Sequence, residues 1–292
     1  MGTQNSCTCG PADGDIPEPF LKVIHDVEDP TPRMIGLHAG FELSTWRASA
    51  LANHIMDWVL DFALRPEERE YLAPGRARAT MKRAIRATFG NGNDRGLPGE
   101  ILLHAICRQL YGSSTVLNKI YFKTADNDTY KGFDSVHCVH TVDGNLELWL
   151  GEAKFYRSAK RAIDRVIADF DTHLEADYLH TEFAIVSQKI SASHPHAEDL
   201  RKLMHPNTSL DEVFDRLVIP VFITYDSKVT NAHSKDCPEF FDEIRDELDA
   251  LHDKVTSAFG DDLPVSVRVF FLPLADKAGL LQALEKELAP WK

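Results

Sequence analysis

Residues 146–156, which read L-E-L-W-L-G-E-A-K-F-Y, decide the fold of this chain. Strand side chains two positions apart share a face, so the leucines of the first half lead into Glu152 and Lys154 on one face. Trp149 and Phe155 then lie on the other face. Placing a carboxylate and an ammonium at the end of an apolar strand is costly unless something there uses both. The stretch therefore predicts a buried strand that ends in a functional site.

The composition is that of an ordinary globular protein. The chain has 292 residues, of which 43% are hydrophobic and 26% charged, which is enough for one large domain or two smaller ones. No apolar run approaches the roughly 20 residues that a membrane span needs. The first residues lack the basic and apolar segments of a signal peptide. These features predict a cytoplasmic protein without membrane contact.

The net charge of −13 argues against a protein that grips nucleic acid over its whole surface. A local basic groove stays compatible with it. Acidic residues concentrate in the segment 236–253, where Phe240, Ile244 and Leu248 recur at helical spacing. We interpret this segment as a solvated amphipathic helix, with nucleic-acid mimicry or a basic partner as the alternatives. The five cysteines are scattered and odd in number, which disfavours a disulfide framework. Cys7 and Cys9 would form only half of a metal site, because a second pair at zinc spacing is missing.

The first third of the chain predicts a leader and a mainly helical region. Residues 1–19 are polar and contain glycine and proline, so we expect a flexible leader. Residues 20–92 predict a short extended segment, a helix that begins at the N-cap candidate Ser44, and a second helix over 75–89. The polar stretch 91–94 predicts a break, and residues 93–292 are assigned to a second domain.

The second domain alternates helical and strand patterns. Pro98 and Gly112 bound a predicted helix, and Asp143-Gly144 predicts a tight hairpin between two antiparallel strands. An α/β fold follows, with a restriction-endonuclease-like mixed β-sheet flanked by helices. The predicted strands are 119–123, 132–141, 146–155, 182–187, 218–225 and 265–272, and the further helices are 157–174 and 276–288.

The polar residues of this hairpin suit metal-dependent hydrolysis. Asp134 and Glu152 are hard oxygen ligands of the kind that Mg²⁺ prefers, and antiparallel pairing brings them together. A metal held there would polarise a phosphate and lower the pKa of a bound water. Lys154 would stabilise the hydroxide or the charge that builds on the phosphate. Glu100, in the helix before the sheet, is a candidate third carboxylate.

These motifs resemble those of the PD-(D/E)xK nuclease superfamily. The resembling stretches are Gly99-Glu100, Gly132-Phe133-Asp134 and 151–156, and more narrowly they are similar to the nuclease subunit of the Hachiman bacterial anti-phage defence system. The resemblance implies Mg²⁺-dependent DNA cleavage, with Mn²⁺ as a substitute, and a superfamily 2-type helicase partner that restrains the nuclease until infection. It maps the catalytic set onto Glu100, Asp134, Glu152 and Lys154, and the metal ligands onto the three acids. Phe133 departs from the name-giving proline of the motif.

Two basic stretches are candidates for DNA contact. One continues from Lys154 at helical spacing along the next helix, and the other belongs to a run without any acidic residue between Glu70 and Asp94. Contacts from such residues to phosphates would make binding strongly dependent on salt. The predicted DNA-binding residues are Arg157, Lys160, Arg161, Arg165, Arg83 and Arg86.

Other interpretations of the chain stay open. His137-Cys138 and His104-x-x-Cys107 contain zinc-type ligands, but strand alternation puts His137 and Cys138 on opposite faces. The chain has no P-loop motif, which is consistent with a separate helicase. A rival function is a non-catalytic subunit whose degenerate nuclease fold docks a helicase. Another is a nuclease that prefers RNA.

Overall fold

The computed structural model of the protein describes residues 16–29, 31–69, 74–90, 96–118, 132–260 and 263–291. Within these ranges a mixed sheet is flanked by helices on both faces, which confirms the predicted α/β class and is consistent with a restriction-endonuclease-like fold. Three predicted features lie outside the described residues: most of the leader with Cys7 and Cys9, the break at 91–94 and the strand at 119–123.

The elements of the described chain follow in order. The strands are β1 (Lys22–Val27), β2 (Arg33–His38), β3 (Phe41–Glu42), β4 (Thr45–Trp46), β5 (Ser114–Asn118), β6 (Ser135–His140), β7 (Leu146–Phe155), β8 (Leu217–Asp226) and β9 (Ser266–Leu274). The helices are α1 (Ala48–Ala63), α2 (Pro66–Arg69), α3 (Ala77–Phe89), α4 (Leu97–Tyr111), α5 (Ala159–His173), α6 (Ala176–Lys189), α7 (Ala197–Leu203), α8 (Leu210–Phe214), α9 (Lys228–Ala232), α10 (Pro238–Phe259) and α11 (Lys277–Leu288).

The main sheet has the strand order β1-β2-β9-β8-β7-β6-β5 in the described part of the chain. Strands β2, β9, β8 and β7 run parallel to one another. The two edges are antiparallel, and β6 pairs with β7 in the predicted hairpin. In the hairpin loop Gly144 has a φ of +81°, which a residue with a side chain rarely adopts. The Asp-Gly prediction is therefore confirmed.

Two hydrophobic cores lie on the two faces of the sheet. On one face Leu148 and Leu150 of β7 pack with α5, α6, α7, α8 and α10. On the other, Trp149 of β7 packs with α1, α3, α4 and α11. Glu152 and Lys154 share the face of the leucines, since side chains alternate along the strand. The site predicted on β7 therefore lies on the sheet face that α5 and α6 cover.

Two predicted elements differ from the structure. The first helix begins at Ala48 instead of Ser44, because Ser44 occupies the β3–β4 turn with a φ of +61°. The predicted strand over 182–187 is wrong, since these residues belong to α6. Buried Leu179, Phe183 and Val186 recur at the i, i+4, i+7 spacing of a helix. The apolar run was too short for alternation to distinguish the two structures.

The predicted N-terminal region contributes directly to the main sheet. Strands β1 and β2 form its edge, and β2 pairs with β9 from residue 33 to residue 36. Helix α1 shares a core with α4 and α11. Elements from both sides of the predicted boundary at 92–93 therefore pack in one sheet and one core.

Candidate active site

The β6–β7 hairpin fixes Asp134 to the end of β7 that carries Glu152 and Lys154. Ser135 pairs with Gly151 in the strand ladder, and the Asp134 N–H donates to the Gly151 carbonyl at 2.9 Å. Beyond that pair, the Asp134 Oδ2 accepts the Ala153 N–H at 2.9 Å in place of a backbone carbonyl. The Asp134 residue is only 4% exposed. The carboxylate is thereby fixed at the end of β7, next to the residue between Glu152 and Lys154.

Lys154 lies between two carboxylates from different elements. Its Nζ contacts the Glu152 Oε1 on the same strand and donates to the Asp169 Oδ2 of α5 at 2.9 Å. The side chains of Lys154, Glu152 and Asp169 are 10%, 12% and 17% exposed. Burial alone would lower the pKa of Lys154, but the two carboxylates outweigh it and raise the pKa. Lys154 is therefore an ammonium at neutral pH.

Helix α6 fixes the segment that carries Asp134. The buried carboxylate of Glu182 accepts the N–H of Phe133 at 3.3 Å. Phe133 is fully buried and its ring lies 4.8 Å from the ring of His173 at the end of α5. The residue before Asp134 is therefore held by a backbone hydrogen bond and by aromatic packing.

The negative charges of four nearby carboxylates act on the hydroxyl of Tyr178. Its ring stacks on that of His173 at 4.9 Å. Burial raises the pKa of Tyr178, and the charges of four carboxylates raise it further, so the hydroxyl keeps its proton. The four residues are Glu182, Glu152, Asp134 and Asp169.

Glu100 is buried in the first turn of α4, with 5% of the residue exposed. A Cβ on its neighbour Gly99 would lie 3.1 Å from the Cβ of Phe155 and 3.7 Å from that of Ala153. The start of α4 therefore packs against the end of β7 on the face opposite Glu152. The assignment of Glu100 to the metal stays a prediction.

The first basic stretch lies along α5, next to the carboxylates. Lys160 and Arg161 are exposed, and their side chains form no ion pair in the described part of the chain. Arg165 donates to Asp169 at 2.9 Å, and Arg157 lies 3.5 Å from Asp226. The contact of these four residues with DNA stays a prediction.

The second basic stretch lies in the other layer of the fold. Arg83 and Arg86 are exposed on α3, and α3 packs with α1 on the sheet face opposite Glu152 and Lys154. Arg83 lies 3.4 Å from Glu68. The structure does not bring these two arginines to the carboxylate face, and their contact with DNA also stays a prediction.

The zinc-type residues belong to other surroundings. The His104 Nε2–H donates to the Asp61 Oδ1 at 2.6 Å, and the ring of His104 lies 5.1 Å from that of His137. Burial would raise the pKa of Asp61, but His104, Arg108 and Arg69 hold it well below its usual range. Cys138 lies on the other face of β6, 4.0 Å from His194, as alternation predicts. His104 therefore serves a buried polar network between α1 and α4.

The carboxylates fit a hard divalent cation better than zinc. Mg²⁺ is usually bound through one or two carboxylates, completed by waters and substrate phosphates. Asp134 and Glu152 supply such a pair on one face. Within the residues that the structure describes, no three His, Cys, Asp or Glu side chains come together in a group that could hold a metal ion. An open pair of carboxylates is what a metal that also binds a phosphate requires.

The sequence pattern predicted the hairpin residues of this cluster but not the helical residues that surround them. Asp169, His173, Tyr178 and Glu182 come from α5 and α6. The i, i+4 spacing of each pair was visible in the sequence. The erroneous strand over 182–187 concealed that Tyr178 and Glu182 share a helix face.

The family model of HamA matches residues 15–288. This chain belongs to the HamA family. Its sequence is also 21% identical, over 262 residues, to Anti-bacteriophage protein A of Escherichia coli (strain K12). The alignment covers 86% of this chain and 47% of that protein, so the chain spans about half the length of this relative. The predicted resemblance to the Hachiman subunit HamA is confirmed at the level of the family.

Across the described residues, no helix of this HamA-family protein combines the length and apolar character of a membrane span.

Proposed function

We propose that this HamA-family protein is a Mg²⁺-dependent nuclease that hydrolyses phosphodiester bonds of DNA, with Mn²⁺ able to replace Mg²⁺. The observation that carries the proposal is the group at the end of β7. Lys154 contacts Glu152, Asp134 accepts the N–H of Ala153 between them, and all three side chains are largely buried. Three ionisable groups of this kind are costly to place together unless they act on a ligand.

Each residue of the group has a separate role in the proposed hydrolysis. Asp134 and Glu152 would hold the cation, which when bound supplies Lewis-acid polarisation of the phosphate and a more acidic water. Lys154 keeps its proton, so it stabilises negative charge on the attacking oxygen or on the phosphate. Tyr178 also keeps its proton and is a hydrogen-bond donor beside the carboxylates. No protein nucleophile is required, and attack is by water.

The basic residues of α5 would position the DNA backbone. Lys160 and Arg161 are exposed on the helix that carries Asp169. Contacts from their side chains to phosphates carry no sequence information and weaken steeply with salt. We therefore expect cleavage with little dependence on base sequence and a strong dependence on ionic strength.

The proposed biological role rests on membership of the HamA family. HamA membership, together with the similarity to a protein named for action against bacteriophages, supports a role in anti-phage defence. The proposed partner is a superfamily 2-type helicase subunit that restrains the nuclease. A purified chain that cuts DNA as fast as the complex, without a trigger, would contradict that restraint.

The test is cleavage of circular and linear DNA in Mg²⁺ and in EDTA. Glu152→Gln and Lys154→Met should each lower the rate by at least about 100-fold, since each removes a group that acts in the transition state. Glu147→Gln is the matched control on β7, because the Glu147 carboxylate accepts a hydrogen bond from the indole N–H of Trp149 and does not contact Lys154. Lys254→Met is the matched lysine, paired with Asp164 at 2.6 Å. Both controls should cut at the wild-type rate.

The outcomes separate the proposal from its rivals. Mg²⁺-dependent cutting that survives in both β7 variants would place the chemistry elsewhere. Cutting of RNA in preference to DNA under the same conditions would reassign the substrate. Absence of cutting with and without the helicase, while the two proteins still bind each other, would favour a non-catalytic docking subunit.

A further inference from the structure

Asp169 gives Lys154 a second anionic partner that lies outside the β-hairpin. The Lys154 Nζ is shared between Glu152 of β7 and the Asp169 Oδ2 of α5, the latter at 2.9 Å. Asp169 also forms an ion pair with Arg165, which lies one turn earlier on α5, at 2.9 Å. The carboxylate is therefore fixed from both sides while it faces the ammonium.

This arrangement matters because Glu152 has two competing uses. In the structure Glu152 contacts Lys154, and in the proposed function it binds a divalent cation. A cation and an ammonium repel each other when they share one carboxylate. If Lys154 had Glu152 alone, cation binding would leave a largely buried ammonium without its counter-charge, which is costly. Asp169 removes that cost, because it already holds the ammonium.

We propose that Asp169 is a positioning residue that retains Lys154 when Glu152 binds a divalent cation. The inference rests on the proposed function of the same site. Asp169 itself does not ligate the cation. Its effect on cation affinity passes mainly through Lys154 and should largely disappear when Lys154 is absent. Groups of this kind, which orient the residues around a metal, typically change its affinity by about 10-fold to 100-fold when they are removed.

The experiment measures Mn²⁺ binding to the full chain by electron paramagnetic resonance of free Mn²⁺, without DNA. We expect Asp169→Asn to weaken Mn²⁺ binding by about tenfold, and Asp169→Glu to recover most of it. Asp164→Asn is the matched control on α5, since Asp164 also holds a lysine, Lys254, but away from the carboxylates. This control should bind Mn²⁺ as the wild type does.

A double-mutant cycle with Lys154→Met isolates the coupling. In that background Asp169→Asn should change Mn²⁺ affinity by only about twofold, from the loss of a distant charge. Thermal unfolding of each variant shows whether the fold is retained.

Three outcomes would overturn the inference. Equal losses in both backgrounds would make Asp169 a direct ligand, and unchanged binding in Asp169→Asn would remove its role while the proposed nuclease stands. If the wild-type chain binds no Mn²⁺, the proposed cation site and the inference both fail.

Discussion

His54 makes the stability of the protein sensitive to mildly acidic pH. It lies on α1, where its ring centroid is 5.3 Å from that of Phe20 and 6.3 Å from that of Trp58. Its Nε2 is buried and has no hydrogen-bond partner in the described part of the chain. Burial lowers the pKa of His54 to about 4. His54 therefore stays neutral in the native state at pH values where the same residue in the unfolded chain, with an ordinary pKa of about 6.5, is protonated.

The sign and size of the effect follow from these two pKa values. Since the native pKa is the lower one, the full stability contribution is present above pH 6.5 and falls as the pH approaches 4. At pH 5 the unfolded histidine is almost fully protonated and the native one almost neutral. The free energy of unfolding should then be about 2 kcal/mol lower than at pH 7.5 on account of His54 alone.

The assay is urea unfolding at pH 7.5 and pH 5 for the wild type and for His54→Leu. Other titrating groups act equally in both proteins, so the difference between the two pH-dependent losses isolates His54. The variant should lose about 2 kcal/mol less than the wild type. His180→Leu, at an exposed position on α6, is the control and should behave as the wild type does. An equal loss in His54→Leu and in the wild type would refute the reasoning.

Three further substitutions test the packing around the site. Gly151→Ala should lower the free energy of unfolding by about 1–3 kcal/mol, because the added Cβ would lie 2.5 Å from the Ser135 Oγ. An unchanged urea midpoint would contradict this close approach of β7 and β6. Asp61→Asn should cost about 3 kcal/mol in the same assay, since it leaves buried cations unpaired; a neutral result would show that the network relaxes freely. Replacing Leu43-Ser44 by Asn-Gly should raise stability by about 1–2 kcal/mol, since both residues have positive φ, and a lower Tm would contradict the strained turn.

Elements with local signals were predictable from the sequence. Strand β7 and helix α4 were predicted almost to the residue, because alternation bounds the strand and Pro98 and Gly112 bound the helix. Gly112 ends α4 in the left-handed conformation, as a helix stop requires. The hairpin follows from Asp143-Gly144. These signals depend only on neighbours in the chain.

Features that depend on distant pairing were not predictable. The parallel pairing of β2 with β9 joins residues more than 200 positions apart, and no local pattern of residues 33–38 announces it. Asp169 reaches Lys154 only because α5 packs on the sheet face that carries Lys154. The pair Asp134 and Glu152 was predictable since a hairpin carries it, whereas the partners from helices required the tertiary structure.

The position of β9 in the sheet has a consequence for synthesis of the protein. This strand, residues 266–274, lies between β8 and β2, so it joins the N-terminal hairpin to the rest of the sheet. A ribosome must therefore reach the residues of β9 before β2 and β8 gain their shared neighbour. Until then both strands present open edges, which are prone to aggregation and proteolysis. We expect prematurely terminated chains to be cleared, so a host cell would be spared fragments that retain the β6–β7 hairpin.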